Sequence, residues 1–358
     1  MTTTSGLSAY LLEQKTRFLG DNGDSWTVVM GNEAGDLDSL ASSIGFAWFL
    51  SHKPNADANA IALITTPRED FVLRAENLYA LQLVGIKEDI RELLYHNSLH
   101  PTYALPDVRV TSIIDHHEDE GKYLDTASPR SIEPAGSCAS LVTRVIMSYP
   151  TLQIPPELAT LLLNAIVIDT HGLRRGGKAV GVDYEAFTWL VPRANVPSSG
   201  SLIEQMAETP QHIPDLAWVQ SLAHTLNTKK TALSHLNTRD LLRRDYKEYI
   251  FNLSSSIRGD SPCSVKAGLS TEWIKERGLS ILGVLTTYKS KQGKPKRKLM
   301  WVVDEKVCGP RLPQVLFDGI EASEILQVKR TDFERYGFNS QVGRDKKERD
   351  EVERGSID

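Results

Sequence analysis

Cysteine is scarce in this chain. Cys138, Cys263 and Cys308 are the three among 358 residues, an odd number with no close pair, which argues against a disulfide framework or a thiolate zinc site and fits a reducing compartment. Long apolar runs are missing too. None approaches the ~20 residues needed to cross a bilayer, and Met1 to Gly20 lacks the basic cap and apolar centre of a secretory leader. The expectation is a cytoplasmic protein with no membrane partner. Excess positive charge is the third absence: a net charge of -5 and a pI near 6.0 give no broad pull toward nucleic acid. A polyanionic ligand would have to be gripped by local patches.

What is present is length and apolar material. With 358 residues, 41% of them hydrophobic, the chain can bury two cores. Short strands at Trp26 to Met30, Ala60 to Thr65 and Val108 to Asp115 alternate with helical patterns at Ser39 onward, Asp70 to Leu83, Leu141 to Ser148, Pro156 to Ile168 and Tyr184 to Leu190. That alternation predicts an α/β domain with a parallel sheet over 1–196. The Pro/Ser/Gly cluster Val196-Pro197-Ser198-Ser199-Gly200-Ser201 marks a linker at 197–205. A smaller α+β domain follows over 206–342, with strands at Glu248 to Leu253, Ile281 to Tyr288 and Lys298 to Val303, and then a charged tail over 343–358.

The densest chemistry lies in Ile113-Ile114-Asp115-His116-His117, an apolar run ending in a carboxylate and two imidazoles. At the C-terminal tip of a parallel strand these groups would face the crevice where open α/β sheets bind ligands. Asp36 and Asp38 sit in the loop after the first strand, and Asp169 closes the apolar run Ala165 to Ile168. By itself Asp-x-Asp in a glycine loop is more often a solvated turn or a helix cap than a metal site. Carboxylates suit Mg²⁺, and an added imidazole shifts the preference toward Mn²⁺, Co²⁺ or Zn²⁺. Two such ions polarise a phosphoryl group and activate water, so phosphate-ester or phosphoanhydride hydrolysis is the favoured reaction class.

These stretches, taken with Ala135-Gly136-Ser137-Cys138-Ala139-Ser140 and Arg243-Arg244-Asp245-Tyr246-Lys247, resemble the DHH phosphoesterases. Within them the chain is most similar to the exopolyphosphatase branch shared with family II inorganic pyrophosphatases and prune-like proteins. The resemblance implies a DHH domain followed by a DHH-associated domain, two divalent ions (Mg²⁺ or Mn²⁺) and inorganic polyphosphate as substrate. It implies that Asp36 binds one ion, that Asp38, His116 and Asp169 bind the other, and that His117 reaches the phosphate or leaving oxygen. Asn32 stands where the pyrophosphatases carry a metal-binding histidine, whereas the exopolyphosphatases resemble this chain in having asparagine there.

One implied element is not found. The family has a further strand ending in an aspartate that bridges both metals; here Thr102-Tyr103-Ala104-Leu105 resembles the beginning of that strand but runs straight into Pro106, and Tyr95-His96-Asn97 is the other partial match, with Tyr95 where the aspartate should be. Asp107 lies too close to the strand ending at Asp115, because parallel neighbours need a crossover of about a dozen residues. Activity is expected to be impaired if no other carboxylate takes the bridging place. A degenerate, phosphate-binding homologue and a simple pyrophosphatase are the alternatives.

Phosphate contacts are expected from Lys247, which the resemblance implies, and from Ser137 and Arg68. Ser137 precedes a helix, where backbone N–H groups accept an anion, although a plain N-cap explains it as well. Arg68 and Arg74 either line the cleft or form surface salt bridges. The basic run Lys289 to Lys298 reads as a solvated hairpin or as a guide for a polyanion.

Overall fold

The computed structural model describes residues 6–23, 25–32, 35–54, 59–86, 95–96, 109–196, 210–236, 240, 243–244, 274, 276, 278–289, 295–303, 309, 311–324, 331–333 and 340–344. They fall in two compact units, 1–235 and 236–358.

The first unit opens with helix α1 (Gly6–Gly20), followed by β1 (Trp26–Met30), α2 (Leu37–His52) and β2 (Asn59–Ile64). The first two strands run parallel, Trp26 opposite Asn59 through Met30 opposite Leu63. Helix α2 starts on an Asp36 cap and ends at His52, ahead of Lys53-Pro54, where proline disfavours helix in the residue before it. Thirteen of its 16 residues are buried, so it is a core helix rather than an amphipathic one. Helix α5 (Pro156–Asp169) is the same kind of element: Pro156 sits in its first turn, and every residue from Leu158 to Ile168 is buried. The two pack against each other and against α4 (Cys138–Met147). Truncating a leucine at this contact, such as Leu162→Ala, would cost about 2–5 kcal/mol.

Between β2 and the next strand the expected single helix over Asp70 to Leu83 is divided. A 3₁₀ turn covers Arg68–Leu73 and α3 covers Ala75–Leu83. Arg74 breaks the run at φ -124°, ψ 69°, with its guanidinium buried 3.7 Å from the Glu76 carboxylate. Strand β3 (Tyr95–His96) continues the parallel sheet beside the C-terminal end of β2, with Tyr95 opposite Leu63 and His96 opposite Ile64.

The strand expected over Val108 to Asp115 is shorter than the sequence suggested. Among the described residues only Ile113–Asp115 pair, as β4, parallel to β5 (Arg130–Ile132). Its partner is preceded by Pro129, which has no N–H to extend the ladder. Helix α6 (Gly181–Leu190) packs on α4 and α5, and α7 (Ala217–Thr231) packs on α3 and α5. Thus α7, which the sequence assigned to the second domain, belongs to the first compact unit. Residues 197–209, with the expected linker, lie outside those described.

The second unit contains an antiparallel sheet of β6 (Ile281–Lys289), β7 (Pro295–Val303), β8 (Thr331–Phe333) and β9 (Ser340–Arg344) in the order β6-β7-β9-β8. Helix α8 (Arg311–Ala322) buries Leu312, Pro313 and Phe317. The charged tail was expected from residue 343, yet Gly343 and Arg344 finish β9, paired with Leu299 and Lys298. The expected strand Glu248 to Leu253 lies outside the described residues.

Candidate metal centre

The loop after β1 is fixed from several directions. Gly35 adopts φ +58°, and a Cβ there would stand 2.3 Å from Thr66 Oγ1, so only glycine fits without displacement. Its carbonyl accepts from the buried Asn77 Nδ2 at 2.9 Å and from Thr66 Oγ1 at 3.4 Å. Asp36 then caps α2, its Oδ1 accepting the Ser39 amide at 3.0 Å. The side chain of Asn32 turns to the same residue, with its Oδ1 accepting the Ser39 hydroxyl at 3.0 Å. A small crevice lined by Gly31, Gly35, Ser39 and Thr65 opens at this end of β1 and β2.

Asp38, in the first turn of α2, is buried and aims across the fold at the start of α4. Its Oδ1 accepts from the Ser137 hydroxyl at 2.6 Å and the Ala139 amide at 2.9 Å, while Oδ2 accepts from the Cys138 amide at 2.8 Å. The first-turn N–H groups of α4, which a phosphate would otherwise use, are therefore met by a carboxylate. A second acid completes the corner. Asp183, wholly buried in the first turn of α6, accepts from the Gly136, Ser137 and Val180 amides and from the Ser140 hydroxyl. Gly136 is required by the closeness of that contact, since a Cβ would lie 2.9 Å from Asp183 Oδ2 and 2.6 Å from Thr170 Cγ2.

The two histidines after β4 do different things. His116 Nδ1 lies 3.0 Å from the Ala135 carbonyl, an acceptor, so the proton sits on Nδ1 and the lone pair on Nε2. That nitrogen points to Asp38 Oδ2, 3.7 Å away. His117 Nδ1 lies 2.7 Å from Asp115 Oδ1, which also accepts the His116 and His117 amides. These bonds outweigh the burial of Asp115 and hold its carboxyl below the usual range. Asp115, His116 and His117 each bring a ligand-type atom within 4.8 Å of the others. Asp115 and Asp38 each accept from three donors of the chain, those of Asp115 all on Oδ1, and His116 stands between them, beside Asp115 in sequence and with Nε2 3.7 Å from Asp38 Oδ2. His117 stays exposed, its Nε2 directed away from Asp115.

Asp169 is the last residue of α5, at the negative end of the helix dipole. Burial, followed by the neighbouring charge of Asp38, pushes its carboxyl up to about 6, against the opposing pull of Lys178 and Lys230. Burial raises Asp38 as well, helped by the charge on Asp36. For Asp36, burial is outweighed by the Ser39 amide and by the charges of Lys230 and Arg74, and its carboxyl lies below the ordinary value. Asp36, Asp38 and Asp169 are thus linked electrostatically, and His116 Nε2 lies 3.7 Å from Asp38, so negative charge is concentrated in this corner of the fold.

The chain is similar to several known proteins. The description "DHH family, N-terminal domain" matches residues 26–166, which hold β1 through most of α5. A Lactococcus lactis protein named "Probable manganese-dependent inorganic pyrophosphatase" is 32% identical over 237 residues, 60% of this chain and 71% of that protein. The chain belongs to the DHH family. A Schizosaccharomyces pombe protein named "Putative exopolyphosphatase" is 29% identical over 290 residues, 71% of this chain and 67% of that protein. "Exopolyphosphatase PRUNE1" of Mus musculus is 28% identical over 240 residues, 62% of this chain, which spans only 48% of that relative's length. The DHH relatives are thus named for phosphoanhydride hydrolysis, and one set of them for dependence on manganese.

Of the residues singled out from the sequence, Asp38 and His116 approach to 3.7 Å, and Asp36 and Asp169 share their electrostatic field. Ser137 is fully buried with its hydroxyl on Asp38, which makes it a support for that carboxylate. Arg68 is exposed at the start of the 3₁₀ turn, whereas Arg74 is buried and acts on Asp36. Lys247 lies outside the described residues. Sequence reasoning missed Asp183, Lys178 and Lys230. An acid in the first turn of a helix was a visible signal for Asp183, but its partners at Gly136 and Ser137 lie 47 and 46 residues away.

Proposed function

We propose that this chain is a divalent-metal-dependent phosphoanhydride hydrolase that removes terminal phosphate from inorganic polyphosphate. The reading is carried by His116, pinned through Nδ1 to the Ala135 carbonyl with Nε2 aimed at the buried Asp38 carboxylate. Asp38, His116 and Asp169 would hold one ion, Mg²⁺ or Mn²⁺, and Asp36 would contribute to a second. A bound ion supplies Lewis acidity toward a phosphoryl oxygen and lowers the pKa of water. The chain's own residues do the rest. Ser137 and the α4 amides hold Asp38 in place, the Ala135 carbonyl fixes the His116 tautomer, and Asp115 orients His117 so that its exposed Nε2 can face phosphate. Lys247 and Arg68 are the further phosphate contacts of this reading. Asn32, a neutral amide bonded to Ser39, favours a polyphosphate-cleaving enzyme over a pyrophosphatase.

A second reading, a catalytically degenerate phosphate-binding homologue, is favoured by β3, where Tyr95 and His96 stand in the strand whose family counterpart ends in a bridging aspartate. One assay separates the two. Phosphate release from polyphosphate should depend on Mn²⁺ or Mg²⁺ and fall about 10³-fold in Asp38→Asn. Release no greater from the parent chain than from that variant would leave only the degenerate reading.

A further inference from the structure

The mechanism so far leaves two cations at the edge of the centre without a task. Lys178, in the segment between α5 and α6, places Nζ 3.7 Å from Asp169 Oδ2. Lys230, in the last turn of α7, places Nζ 3.7 Å from Asp169 Oδ1. The two ammonium groups approach from different elements and take different oxygens. Neither is at hydrogen-bond distance, where N···O would be about 2.7–2.9 Å for a charged pair, so both pairings are loose. Asp169 itself is only 10% exposed, while the Lys178 and Lys230 side chains are 53% and 35% exposed, so the carboxylate is the fixed partner and the lysines the adjustable ones. The charge of Lys230 also lowers the Asp36 carboxyl, so it acts on two of the carboxylates.

We propose that Lys178 and Lys230 are phosphate-gripping residues that Asp169 holds at the rim of the site until a divalent ion takes over its carboxylate. The inference rests on the metal centre described under Proposed function. A carboxylate bound to a dication has little charge left for ammonium groups 3.7 Å away, and their charge can then act on an anion entering the rim alongside whatever partners they keep. At this rim that anion is a phosphate oxygen of substrate or product. The arrangement supplies two positive charges from the first unit itself, independently of Lys247. Its ligand class is the terminal phosphate of a phosphoanhydride or free inorganic phosphate, which share the same oxyanion.

The test uses the full chain and two titrations followed by calorimetry, Mn²⁺ alone and then inorganic phosphate into Mn²⁺-loaded protein. Lys178→Met and Lys230→Met keep the aliphatic stems at exposed positions, and their melting curves check that folding is intact. Each variant should bind Mn²⁺ at least as tightly as the parent, because a competing cation is gone, and should bind phosphate about tenfold more weakly. Phosphate affinity unchanged in both variants would overturn the proposal, as would Mn²⁺ affinity falling in step with phosphate. A parent chain that binds no Mn²⁺ overturns both this inference and the metal centre. If the parent binds Mn²⁺ and phosphate but releases none from polyphosphate, hydrolysis fails as the function while the lysine result still stands.

Discussion

Helices α2 and α4 both point their N-termini into the same corner, yet they are capped in opposite ways. The first is capped by its own neighbour, Asp36 accepting the amide three residues on. The second takes its cap from afar: Asp38, about a hundred residues earlier, and Asp183, more than forty later, receive its opening amides and hydroxyls. A local cap serves one helix. A remote cap ties three helices together and fixes a charged group in a buried place, which is what a metal ligand requires.

The contrast can be broken from its strongest side first. Asp183→Ala leaves the Gly136, Ser137 and Val180 amides and the Ser140 hydroxyl without their acceptor, and should lower unfolding stability by about 3–5 kcal/mol. Urea titration measures it, and a loss below about 1 kcal/mol would show that the corner is not held from α6. Removing one support of Asp38, the proposed metal ligand, is gentler. Ser137→Ala deletes the 2.6 Å bond to Asp38 and should weaken Mn²⁺ binding by about 10–100-fold, read by calorimetry; unchanged affinity would mean that Asp38 is held well enough by amides alone. The smallest effect belongs to the local cap. Asp36→Ala should cost about 1 kcal/mol in thermal or urea unfolding of the metal-free chain, and a cost as large as that of Asp183→Ala would erase the distinction.

The same contrast explains what the sequence made legible. The α/β alternation, the core helices α2 and α5 and the β6–β7 hairpin follow from periodicity and turn chemistry within a dozen or so residues. So does the Asp36 cap, because Asp-x-x-Ser is a local pattern. The site was legible as a set of residue types at ends of elements, since apolar runs stop at Asp115 and Asp169. What each group bonds to was not. Ser137 reads from its neighbours as an anion-facing cap, and only the packing of α2 against α4 turns its hydroxyl to Asp38. Arg74 reads as one more helix position, and burial beside Glu76 breaks the helix there. Lys230 carries no local signal, because its partner Asp169 ends a helix 61 residues earlier, and Lys178, nine residues after Asp169, meets it only through the turns that follow α5.

Asp38 closes the start of α4 and also presents an oxygen to His116. It therefore has two grounds for being kept, and one of them is folding alone. A descendant that lost its ions and its turnover would still suffer for replacing this aspartate, so the residue would outlive the reaction. Its survival in a DHH chain testifies to an intact scaffold. The witness for chemistry has to be sought in a group that the scaffold can spare, such as the exposed His117 or a carboxylate between the ions.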